Sequence, residues 1–148
     1  MDLGIKGRTA IVTGASRGIG RETARQFLEE GVRVMICGRN AEGLERTRTE
    51  LARQTGGEIH AVVADMIKPD DIARLVEAAK KQLGGVDILV NNAGQMYSGR
   101  FDVMTDDGLK EQLETKLFGF MRAIRLVYPL MKAKRWGRIV NLIGGAGK

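Results

Sequence analysis

Five short apolar runs set at regular intervals constrain this chain more than any other feature: Thr9–Thr13, Val32–Cys37, Ile59–Ala64, Ile88–Val90 and Ile139–Ile143. Each is nearly continuous in apolar residues rather than alternating, which suits strands covered by helices on both faces. The segments between them carry the helical period. Ile72, Leu75, Val76, Ala79 and Leu83 recur at i, i+3, i+4, i+7 and i+11, one apolar stripe. Pro69-Asp70-Asp71 opens that helix, with proline near its first position and acids in the first turn, and Gly84-Gly85 closes it. A second helix runs from about Ala41 to Gln54 and stops at Gly56-Gly57. The order β-α-β-α-β-α-β-α-β predicts an α/β fold with one doubly wound parallel sheet and right-handed crossovers. Without a linker, repeat or low-complexity tract, residues 1–148 read as a single domain.

The segment from about Asp106 to Lys132 stands apart. Leu109, Leu113, Leu117, Phe120, Ile124 and Val127 form one stripe, and Leu113, Leu117, Phe120 and Ile124 are expected to face the sheet. Phe118, Met121 and Leu126 put apolar atoms on other faces, so the helix is expected to be covered twice, the second time either by further chain or by another subunit, with a copy of itself in a two-fold dimer or in a tetramer as the favoured case.

Directly after the first apolar run comes Thr13-Gly14-Ala15-Ser16-Arg17-Gly18-Ile19-Gly20, leading into a helix over Arg21–Glu30. A strand, a glycine turn and a helix in that order give such a motif its meaning. Gly14 permits the tight turn, Gly18 lets backbone approach a pyrophosphate, and Gly20 lets the helix sit close to the strand. The free N–H groups of the first helical turn then face the phosphates. Asn91-Asn92-Ala93-Gly94 ends the fourth strand and Ala64-Asp65 the third, both at the sheet edge where open α/β folds bind ligands.

Taken together, TGASRGIG, Asp65 and NNAG resemble the short-chain dehydrogenase/reductase family, over about Lys6 to Gly147. The resemblance implies a Rossmann-type sheet and a nicotinamide cofactor bound by Gly14, Ser16, Arg17, Gly18, Ile19, Gly20, Arg39, Asp65, Met66, Asn92, Ala93 and Gly94. It also implies that Asp65 hydrogen-bonds the adenine amino group and that Asn91 braces the sheet. Folds selective for NAD(H) place a carboxylate about 20 residues past the glycine turn. Here the second strand ends Cys37-Gly38-Arg39-Asn40, with no acid. Arg39, joined by Arg17, suits a 2′-phosphate, so NADP(H) is expected over NAD(H).

The family's reaction is hydride transfer between nicotinamide and a small carbonyl or alcohol substrate, using a Ser, a Tyr, a Lys and an Asn. Lys116 stands at the Asn position and Gly144 at the Ser position, and Lys148 ends the chain before the Tyr and Lys would come. The domain therefore reads as incomplete after the fifth strand, and inactive alone. It is either the front part of a longer oxidoreductase or, alternatively, a non-catalytic NADP(H)-binding sensor or interaction subunit. Lys116 has two readings: a cation near the proton relay or a substrate anion, or a lysine snorkelling from a buried helix.

Other features are set aside. Tyr128 and Lys132 match YxxxK by spacing but fall at the end of their helix, at the sheet edge opposite the cofactor and tens of ångströms from it by helix length, where Tyr128 is expected to pack and Lys132 to cap. Gly144–Lys148 lacks the glycine and hydroxyl of a P-loop, and His60, the lone histidine, has no metal or triad partner. A net charge of +6 spread among acids, with aromatics at 5%, favours a solvated mixed-charge surface over a nucleic-acid platform, so no nucleic-acid partner is expected. No stretch of about 20 apolar residues suggests a membrane span, and one cysteine, Cys37, implies a reducing, cytoplasmic setting.

Overall fold

The computed structural model describes residues 2–94 and 100–144. Its strands are β1 (Thr9–Val12), β2 (Arg33–Gly38), β3 (Ile59–Val63), β4 (Ile88–Asn91) and β5 (Arg138–Asn141), and all neighbours pair in parallel. Its α-helices are α1 (Gly18–Glu29), α2 (Ala41–Thr55), α3 (Pro69–Leu83), α4 (Asp106–Leu113) and α5 (Phe120–Lys134), with a π turn, Glu114–Gly119, between the last two. The sheet order β3-β2-β1-β4-β5 is that of a doubly wound sheet whose winding reverses between β1 and β4.

The unalternated apolar runs have the physical cause expected of them. Ile11, Met35 and Leu89 point to one face, where α3 and α5 deliver Ile72, Leu75, Val76, Ala79, Leu83, Ala123, Val127 and Met131. Ala10, Val12, Val34, Ile36, Ile88 and Val90 point to the other, against Ala24 and Leu28 of α1 and Leu44 and Leu51 of α2. Each fully buried Leu or Ile among these contributes about 1.5–3 kcal/mol. Left-handed glycines, Gly56 and Gly84, end α2 and α3 where the sequence places their stops.

The two edge strands depart from the expectation of cover on both faces. In β3 only Ile59 is buried, because among the described residues no strand pairs beyond it. In β5, Ile139 packs on the α3/α5 core, whereas Val140 is 47% exposed and Ile143 lies past the strand, 80% exposed.

The segment Asp106–Lys132 is not one helix. A π turn takes up one residue more than an α turn, which rotates the preceding residues by about 100°. Phe120, Ala123, Val127 and Met131 are buried and Ile124 packs beside them, but Leu109, Leu113 and Leu117 are turned outward. The sheet-facing role expected of Leu113 and Leu117 is therefore overturned. Phe118, Met121 and Leu126 are exposed as read. Tyr128, expected to pack, is 56% exposed. It lies about 13 Å along the axis from Gly119 and about 20 Å from Thr115, the last residue of this segment to line the cleft. α5 does run away from the loop after β3, since Lys134 at its far end pairs with Asp87 at 3.3 Å.

Candidate cofactor-binding site

At the carboxyl edge of the sheet, where β1 and β4 part, a cleft of about 370 Å³ opens. Its floor and first wall are the glycine turn after β1. The turn is tied to its neighbours by backbone bonds from Thr13 N to Val90 O and from Ala15 N to Cys37 O, both 3.0 Å. Gly14 has φ +63° and Gly18 φ +60°, which other residues adopt at a cost. A Cβ at Gly14 would sit 2.8 Å from Ala93 Cα, whereas one at Gly18 would meet nothing within 4 Å. Gly18 thus keeps backbone bare at an open surface. Gly20 works differently: a Cβ there would come 2.5 Å from Asn92 Nδ2 and 2.6 Å from Gly14 O. That contact explains why Gly20 is buried under the turn and, unlike the other expected cofactor-binding residues, does not line the cleft.

Helix α1 starts at Gly18 with Arg17 as its N-cap, and no side chain caps it. A helix start without a capping Ser, Thr, Asp or Asn leaves its first N–H groups free for an anion. The bare turn and the uncapped start are features that a pyrophosphate fits.

The other three segments converge on this turn. After β4, Asn92 Nδ2 donates to Thr13 O at 3.1 Å and to Gly14 O at 3.0 Å, while Asn92 N and Ala93 N donate to Thr13 Oγ1 at 3.0 and 2.9 Å. Both amide protons of Asn92 are thereby consumed in holding the turn. Asn91 Nδ2 donates to Asn141 Oδ1 at 2.9 Å, bridging β4 to β5. After β3, Asp65 Oδ1 accepts from Ile67 N at 3.2 Å, and Asp65 N donates to Asp71 Oδ2 at 2.8 Å. That bond, with the Arg74 guanidinium beside it, lowers the Asp71 carboxyl from its usual value. After β2, Arg39 is exposed and lines the cleft, as does exposed Arg17, and neither forms an ion pair among the described residues. Cys37 borders the cleft, but burial pushes its thiol up to about 12, far from a reactive thiolate.

Sequence reasoning missed one wall. Gly108, Glu111, Gln112 and Thr115, from α4 and the π turn, complete the cleft. Thr105 caps α4 by accepting from Gly108 N at 3.1 Å, which starts the helix but carries no signal that it covers the cleft. Lys116 belongs to the same π turn; its stem lies across Gly94. Gly144 is exposed beyond β5, and Gly145–Lys148, the rest of the P-loop-like stretch, lie outside the described residues. His60 contacts Glu58 at 2.9 Å on edge strand β3, and the described residues hold no metal-ligating cluster. No described helix is long and apolar enough to cross a membrane.

Comparison with known proteins gives a consistent picture. The sequence profile for short chain dehydrogenase matches residues 8–148. Uncharacterized oxidoreductase YvrD of Bacillus subtilis is 37% identical over 147 residues, which is 99% of this chain and 55% of that protein. The crystal structure of L-sorbose reductase from Gluconobacter frateurii, complexed with NADPH and L-sorbose, superposes with a TM-score of 0.89 at 32% identity, covering 94% of this chain and 53% of that one. A metagenomic short-chain oxidoreductase in complex with NADP gives a TM-score of 0.87 at 31% identity, covering 97% of this chain and 66% of that one. The chain spans about half the length of the curated relatives it matches.

Proposed function

The chain belongs to the short-chain dehydrogenase family, and from that premise we propose that its cleft binds NADP(H), in preference to NAD(H), for an oxidoreductase acting on a small carbonyl or alcohol. One observation carries the reading: four segments separated in sequence, following β1, β2, β3 and β4, meet at a single cleft with a bare glycine turn at its floor. When bound, the cofactor supplies or takes up the hydride. In this reading the chain's own residues bind and orient it. The uncapped N–H groups of α1 receive the pyrophosphate, and Arg17 and Arg39 neutralise the 2′-phosphate. Asp65 accepts from the adenine amino group with Met66 alongside, and Ile19, 65% exposed, offers an apolar surface to a ring.

The reading includes a cytoplasmic setting and association with a second copy through exposed Phe118, Met121 and Leu126. A second reading, a cofactor-binding sensor without turnover, draws on Gly144, which offers no hydroxyl where the resemblance implies a serine. Turnover of NADPH with a panel of aldehydes and ketones by the protein carrying this segment supports the first; binding without turnover supports the second.

The cofactor assignment is tested by titrating the chain with NADPH and NADH. NADPH should bind more tightly, and Arg39→Ala should weaken it by about 1.5–3 kcal/mol, the worth of a hydrogen bond to a charged group, leaving NADH unchanged. Equal affinity for both removes the NADP(H) preference, and absence of binding removes the assignment.

A further inference from the structure

Lys116 is held in place more firmly than a surface lysine needs to be. Its π turn is pinned at both ends. Gly119 lies so near the loop after β3 that a Cβ there would come 2.6 Å from Met66 O. Arg122 Nη1 donates to Glu114 at 2.8 Å and reaches Ile67 O at 3.5 Å, tying the start of the turn to the same loop. Thr115, the neighbouring residue, spends its hydroxyl on Glu111 O at 3.0 Å. The backbone of Lys116 is therefore fixed with respect to the carboxyl edge of the sheet.

From that backbone the side chain crosses Gly94. A Cβ at Gly94 would meet Lys116 Cε at 2.8 Å, Cγ at 3.3 Å and Cδ at 3.7 Å. Gly94 lines the cleft, whereas Lys116 itself does not; its ammonium lies one bond past the Cε that rests on Gly94. Among the described residues it has neither an ion-pair partner nor a hydrogen-bond acceptor. Glu114 is engaged by Arg122, and Glu111 lines the cleft without pairing to it. The neighbouring strand β5, in register with β4 through Asn91 and Asn141, runs out to exposed Gly144, which contributes no side chain. A positioned cation thus stands beside Gly94, at the rim of the cleft.

We propose that Lys116 is the anchor for an anionic group of the substrate, and that the carbonyl or alcohol acted on here carries a carboxylate. The proposal rests on the nicotinamide reading of the cleft. Arg17 and Arg39 do not substitute for it. Arg39 follows β2 and Gly94 follows β4, two strand spacings or about 10 Å apart. A single ammonium on a pinned stem matches a carboxylate's one charge, whereas a phosphate is usually held by several donors.

The test loads the chain with NADPH and titrates pyruvate, acetoacetate and levulinate against their methyl esters, following the fluorescence of the bound NADPH. Lysines are labelled in parallel by reductive ¹³C-methylation, which keeps their charge, and the Lys116 signal is identified by its absence from Lys116→Met. Methionine retains a stem over Gly94 while removing the charge. At least one keto acid is expected to bind roughly 10-fold or more tightly than its ester. That preference should vanish in Lys116→Met, whose NADPH affinity is unchanged, and the acid should shift the Lys116 signal. NADPH binding with acids and esters alike, or a preference that survives in Lys116→Met, overturns the proposal and leaves the cofactor reading standing. Failure to bind NADPH at all marks the failure of the cofactor reading itself.

Discussion

Gly20→Ala isolates the packing on which the glycine turn depends. In an ordinary helix this change stabilises by about 1 kcal/mol, and Gly20 carries no left-handed φ to oppose it. Here the new Cβ would sit 2.5 Å from Asn92 Nδ2, 2.6 Å from Gly14 O and 3.0 Å from Ala15 Cα. The Asn92 side chain can withdraw only by giving up its bonds to Thr13 O and Gly14 O, at about 1 kcal/mol each. The overlap with backbone adds about 1–3 kcal/mol. Less the helix gain, the net loss is about 2–4 kcal/mol, read as a lower urea midpoint at unchanged m-value. NADPH affinity should fall as well, because the displaced backbone is that of the turn. A variant as stable as the wild type or more so, with full NADPH affinity, would refute the close-packing role.

Two further expectations follow from the same geometry. Asp71, lowered by its bonds from Asp65 N and Arg74, adds stability that is complete above the unfolded carboxylate value near pH 4 and is lost as pH falls through the lower folded value. The urea midpoints of the wild type and Asp71→Asn should therefore differ at pH 7, begin to converge below about pH 4 and meet only below the lowered folded value; a gap independent of pH contradicts the assignment. On the outer face of α5, Met121→Glu should lower the sedimentation coefficient without unfolding the chain, and identical monomers of wild type and variant would rule out this face as an interface.

Much of the fold was legible because burial on both faces leaves a direct mark in sequence. Met35 and Ile36, adjacent in β2, are both fully buried on opposite faces, and only a central strand permits that. The same signal overstated β3 and β5, since a short apolar run does not reveal whether a neighbour strand lies beyond it. The glycine turn was legible residue by residue, as Gly14, Gly18 and Gly20 each answer a different steric demand. The stripe Leu109–Leu113–Leu117–Phe120 misled because helical periodicity assumes an uninterrupted α-helix. The π turn is set by contacts distant in sequence, Gly119 on Met66 and Arg122 on Ile67, which no local pattern encodes. For the same reason the α4 wall of the cleft was invisible, and the role of Asn92 in clamping the turn emerged only from its bonds to Thr13 and Gly14.

The claim that this cleft is a dinucleotide site is tested most directly by recording amide shifts of the ¹⁵N-labelled chain as NADPH is added. Saturable shifts are expected at Gly14, Arg17, Gly18, Arg39, Asp65 and Ala93, all at the carboxyl edge of the sheet. Absence of saturable shifts would contradict the claim. So would shifts confined to the opposite edge, where Arg8 and Arg138 stack on Trp136 at 3.9 and 4.8 Å.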